Sequence, residues 1–84
     1  MIDQRARKQI LEMIGYITDE VDRHFGDPSV VEPLELTLDR GDESLERSRL
    51  VGKGVEIGLR EDLAPMRVSA QVDEAGYLFK VERK

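Results

Sequence analysis

The sequence predicts a single α+β domain in which one long N-terminal amphipathic helix, over about residues 3–25, covers one face of a four- to five-stranded, mainly antiparallel meander. Two periodicities carry this reading. Up to residue 25 apolar side chains recur every three or four positions, and after residue 33 they alternate with polar ones; these are the patterns of a helical face and of half-buried strands. Length supplies the third observation, since 84 residues divided between two cores would leave each too little apolar surface to bury.

The helix is carried by Ile2, Ala6, Ile10, Met13, Ile17, Val21 and Phe25, with Ile14 beside them. Projected at the helical period, this stripe is about 140° wide, and Arg5, Lys8, Glu12, Asp19 and Arg23 fall opposite. Both ends have a chemical reason. Asp3 is placed to accept hydrogen bonds from the first free N–H groups, Gly26 suits a left-handed stop, and Pro28 forbids continuation.

The first strand is expected over 34–39, where Leu34, Leu36 and Leu38 alternate with Glu35, Thr37 and Asp39. Residues 47–51 read as a weak strand, because Leu45, Leu50 and Val51 fit neither period. Gly52-Lys53-Gly54 then reads as a turn into a strand over 55–60, where Val55, Ile57 and Leu59 alternate with Glu56, Gly58 and Arg60. The last two strands, 66–72 and 77–82, flank the loop Asp73-Glu74-Ala75-Gly76. Pairing Val72 with Tyr77 sets Ala70 on Phe79 and Val68 on Val81, and on the other face Ser69 on Lys80 and Arg67 on Glu82. Both faces agree, which fixes the register. The same reasoning pairs Leu59 with Met66, Ile57 with Val68 and Val55 with Ala70. The resulting open face offers Glu35, Thr37, Glu56, Arg67, Ser69 and Lys80, with Leu78 its one apolar residue.

On this plan the helix is too long for its sheet. About 23 residues extend roughly 34 Å, whereas strands of six or seven residues span only about 20 Å. A chain this small is also thinly stabilised, and without cysteine it has no disulfide to help. These two points predict a homodimer through the helix. Its interface would use the side strip Leu11, Ile14, Gly15 and Thr18, where the bare Gly15 lets a second helix approach.

Residues able to do chemistry are few. His24 is the sole imidazole; Glu20 lies one turn before it and Asp27 just beyond the helix, but the spacing matches no metal signature, and a place at a helix C-terminus accounts for the histidine. No serine among Ser29, Ser44, Ser48 and Ser69 stands in a nucleophile motif. The basic stretch Arg47, Arg49, Lys53 and Arg60 surrounds glycines that could present N–H groups to an anion, yet it lacks phosphate-loop spacing. Tyr77 and Phe79 resemble a base-stacking pair on a sheet, but they share the apolar face and read as core. The expectation is therefore no catalytic residue, no cofactor and no metal.

Net charge is −5, and the acid is concentrated: residues 26–49 carry seven acidic side chains against three basic. This balance disfavours nucleic acid as a partner. No apolar run approaches a membrane span, and the start carries no apolar export segment, so a cytoplasmic protein is expected. The leading functional expectation is a non-enzymatic protein-interaction module, such as an accessory subunit, adaptor or regulator. The alternative is a small acidic inhibitor, such as a phage or toxin-system protein, that blocks a basic surface. Third comes a small enzyme with a carboxylate-based site. No motif is specific enough to attach the chain to a family.

Overall fold

A computed structural model describes residues 3–83 and shows an α+β fold of two helices and a three-stranded antiparallel sheet. The elements are α1 (Gln4–His24), β1 (Leu34–Leu38), α2 (Leu45–Asp62), β2 (Arg67–Asp73) and β3 (Gly76–Glu82). The sheet order is β1-β3-β2, so the last strand lies between the other two. It is not a meander, because the chain crosses over through α2 between β1 and β2.

Helix α1 starts as expected. The Asp3 side chain accepts from the Ala6 N–H at 2.7 Å, and the helix closes at Phe25, whose N–H reaches the Val21 carbonyl. Ala6, Ile10, Ile17, Val21 and Phe25 are buried in the core, while the expected contribution of Ile2 lies outside the described residues. Beyond the helix, Arg83 donates to the carbonyls of Phe25 and Pro28 at 2.8 and 3.0 Å, and its guanidinium lies over the Phe25 ring. The chain's far end thus ties down the C-terminus of α1.

The main correction concerns residues 45–62. In place of a weak strand at 47–51, a glycine turn and a strand at 55–60, there is one continuous helix. Ser44 caps it, its hydroxyl accepting from the Arg47 N–H at 3.1 Å. Its buried stripe is Ser48, Val51, Gly52, Val55, Glu56 and Leu59, a helical spacing hidden by the small and charged members. Ile57, which completed the apparent alternation, is 49% exposed. The proposed pairing of 55–60 with 66–70 therefore does not exist, and Glu56 belongs to a helix and not to the open face of the sheet. The number of strands falls to three.

The C-terminal hairpin has the expected register: Val72 faces Tyr77, Ala70 faces Phe79, Val68 faces Val81, Ser69 faces Lys80 and Arg67 faces Glu82. Strand β1 joins the other side of β3, with Leu36 opposite Phe79. Helix α2 packs on the sheet and α1 packs on α2, so the core is shared by both helices and one sheet face. Val68, Phe79 and Ile17 lie in that core, and Leu36 packs against it half-buried. The apparent overhang of α1 is also resolved: α2 covers the stripe that had no sheet beneath it.

The two helices run parallel, with Arg47 beside Asp3, Gly54 against Ile10 and Gly58 against Ile14. A Cβ on Gly54 would come within 2.6 Å of Ile10 Cδ1, and one on Gly58 within 2.5 Å of Ile14 Cδ1. These glycines are where one helix receives the side chains of the other, and the close approach accounts for residues that are otherwise costly inside a helix.

Candidate functional site

Two arrangements stand apart from ordinary core packing. The first is a polar network around Glu43, in the connection before α2. The Glu43 carboxylate accepts from Ser48 Oγ at 2.6 Å, from Gln9 Nε2 at 2.9 Å and from the Tyr77 hydroxyl, and Arg47 Nε lies 3.7 Å away. Arg40 closes the connection from outside by donating to the Glu43 carbonyl at 2.8 Å. The network joins α1, the first turn of α2 and β3.

Its electrostatics are those of a lock. Burial pushes the Glu43 carboxyl up, but the hydrogen bonds from Ser48, Tyr77 and Gln9 and the charge of Arg47 outweigh it and hold the group below its ordinary value. Burial and the adjoining carboxylate push the Tyr77 phenol up to about 12. A carboxylate with lowered proton affinity that already accepts three hydrogen bonds is a weakened base. The neutral phenol and the buried Ser48 hydroxyl are both committed to it as donors. These bonds hold the start of α2 against α1 and β3.

The second arrangement is apolar and exposed. Helical projection places Leu11, Gly15 and Thr18 of α1, with Leu50 and Ile57 of α2, on the lip of the inter-helix seam that faces away from the sheet. Leu11 is 61% exposed, Leu50 43% and Ile57 49%. Of the side strip read from the sequence, Ile14 turns into the seam against Gly58 and Thr18 is half-buried, whereas Leu11 and Gly15 remain outside. Leu50 and Ile57 were not foreseen, because their segment read as strand. A helical reading of 45–62 would have put both opposite Val55 and Leu59.

The other sequence candidates are dispersed. His24 Nε2 donates to the Glu32 carbonyl at 2.8 Å, Glu20 pairs with Arg23, and Asp27 accepts from Ser29, so the three do not converge. Among the described residues no group of three or more potential ligands is assembled for a metal. Of the basic stretch, Arg47 pairs with Asp3 and Glu43, while Lys53 and Arg60 both pair with Glu56. Tyr77 and Phe79 are buried with near-parallel rings 5.9 Å apart. No helix among the described residues is long and apolar enough to cross a membrane. Comparison with protein-family models, curated proteins and solved structures found no match to this chain.

Proposed function

We propose that the protein is a non-enzymatic protein-interaction module that forms a homodimer through the outer lip of the α1–α2 seam. The observation that carries this reading is the exposure of three aliphatic side chains, Leu11, Leu50 and Ile57, which helical projection sets on the same side of a seam closed at Gly54 and Gly58. The interface expected at Leu11, Ile14, Gly15 and Thr18 is thereby shifted: Leu11 and Gly15 stay in it, and α2 supplies the rest.

The charges flanking the lip favour a second copy as the occupant. Because the helices are parallel, their N-terminal ends lie together and carry the exposed Arg7 and Lys8, while Asp22, Glu61 and Asp62 are exposed toward the other end. A two-fold axis near Leu11 and Ile57 sets each basic end against an acidic one. Such a surface is complementary to itself.

Light scattering behind size exclusion tests the reading. The wild type should be dimeric at tens of micromolar, and Leu11→Arg and Ile57→Arg should each be folded monomers by circular dichroism. A wild type that runs as a folded monomer at that concentration overturns it, as do variants that remain fully dimeric.

A further inference from the structure

We infer that the free edge of β1 takes up an extended segment of alternating apolar and basic residues from a partner protein. This surface is separate from the helix lip and the inference stands without the dimer. It begins from a contrast between the two edges of the sheet. On β2, Ala70 donates its N–H to Glu56 Oε2 at 3.2 Å and the Val68 carbonyl accepts from Arg60 Nε at 3.3 Å. Side chains of α2 thus occupy one outward donor and one outward acceptor of that edge.

The same bonds fix which groups point outward on the opposite edge. Since Ala70 N–H turns away from β3, its partner Phe79 directs its own main-chain groups to β1, as do Val81 and Tyr77. Leu34, Leu36 and Leu38 therefore carry the ladder with β3, and the N–H and C=O groups of Glu35 and Thr37 face away from the sheet. Among the described residues neither makes a side-chain or loop hydrogen bond there. The edge offers two donors and two acceptors in strand spacing, the template used when a peptide adds to a sheet.

Side chains define the occupant. Leu34, Leu36 and Leu38 are only half-buried, so an added strand would complete their cover with apolar residues on its inner face. Its outer face would meet Glu35, whose cross-strand neighbour Lys80 is already paired with Glu82 at 3.0 Å. Residues 32–42 carry Glu32, Glu35, Asp39 and Asp42 against the single base Arg40, which is held by the Glu43 and Glu74 carbonyls. In full antiparallel overlap a second copy of β1 would set Glu35 on Thr37 and bring Glu35 and Asp39 of both strands onto one face with no base on that face of either strand, whereas basic residues match it. Pro33 at the start of β1 costs nothing on this plan, as it precedes the first outward donor.

The test uses the full chain and an end-blocked heptapeptide alternating lysine and valine, read by amide hydrogen exchange and titration. In the free protein the Glu35 and Thr37 amides should exchange fast and Leu36 slowly; with peptide, Glu35 and Thr37 should slow. Glu35→Lys should weaken binding by about tenfold or more, the scale of reversing a cross-strand charge pair. Thr37→Pro, which removes one outward donor without changing charge, should weaken it as well. Leu11→Arg should leave it unchanged, which separates this edge from the helix lip. Failure of the peptide to bind, equal binding of a glutamate–valine peptide, or protection confined to other residues overturns the inference.

Discussion

Ile14 of α1 rests on Gly58 of α2 at a distance that leaves no room for a Cβ, and one turn earlier Ile10 stands in the same relation to Gly54. The α1–α2 contact is a pair of isoleucines set into bare helix surface. Larger side chains there must displace the buried Ile10 or the half-buried Ile14: Gly54→Leu and Gly58→Leu should each cost about 1–3 kcal/mol, the usual range for overpacking. Gly15 is the control, because nothing lies within 4 Å of a Cβ built on it. In the Leu11→Arg background, where the lip is unpaired, Gly15→Ala should raise stability by up to about 1 kcal/mol from helix propensity alone. Urea melts of the variants read both signs, and a Gly58→Leu variant as stable as the wild type would mean the helices do not meet there.

The glycines of α2 also explain why that helix could not be read from the chain. Gly52, Gly54 and Gly58 are punctuation in an isolated segment, and Val55, Ile57 and Leu59 alternate as strand residues do. What selects the helix is tertiary: Gly52 lies under Val72 and Tyr77, and Gly54 and Gly58 lie under α1. Local propensity was outweighed by contacts formed only on folding. The C-terminal hairpin was legible because its two faces agree independently, apolar with apolar and Arg67 with Glu82. The Glu43 network could not be foreseen, since Gln9, Glu43, Ser48 and Tyr77 come from four separate places in the sequence. Of the lip, Leu11 and Gly15 were readable from α1 alone, and Leu50 and Ile57 waited on α2.

The Glu43–Tyr77 pair should make stability depend on pH at both extremes. Glu43 has its folded pKa lowered, so its contribution is present above the ordinary carboxyl value and is lost as pH falls through the folded one. Tyr77 is raised from 10.0 to about 12, so its contribution is full below pH 10 and is lost as pH rises through about 12. Urea midpoints against pH should therefore fall at both ends. Glu43→Gln should flatten the acid limb and Tyr77→Phe the alkaline one. An alkaline limb unchanged in Tyr77→Phe would place the titrating group elsewhere.

Glu56 is mostly buried, yet its carboxylate meets the Ala70 N–H together with Lys53 and Arg60. Removing it leaves the outward donor of the β2 edge without a partner. Glu56→Ala should lose about 1–3 kcal/mol, the cost of leaving a buried polar group unpaired, and should aggregate more readily on heating because the edge is uncovered. Denaturant melts and turbidity on heating measure the two effects. A variant with unchanged melts would show that water serves the Ala70 amide equally well.

Phe79 is the largest side chain fully buried at the centre of the sheet. It sits on the central strand between Leu36 of β1 and Ala70 of β2, is fully buried, and lies beside Tyr77 with the rings nearly parallel. Truncation to alanine removes a ring that small neighbours such as Ala70 cannot replace, and a packed interior relaxes only partly around such a gap. Phe79→Ala should cost about 3–5 kcal/mol. A chain of this length has a total stability of only about 4–12 kcal/mol, so the variant should lose a large share of it and, at the low end of that range, be largely unfolded. The adjacent Leu78 points to the opposite face and is only half-buried. Leu78→Ala should therefore lose much less, about 1 kcal/mol or under, in proportion to the smaller area it covers. Urea melts of the two variants side by side decide the matter, and a loss below about 1 kcal/mol for Phe79→Ala, far under the range for a buried aromatic, would mean that the covered face of the sheet is the other one.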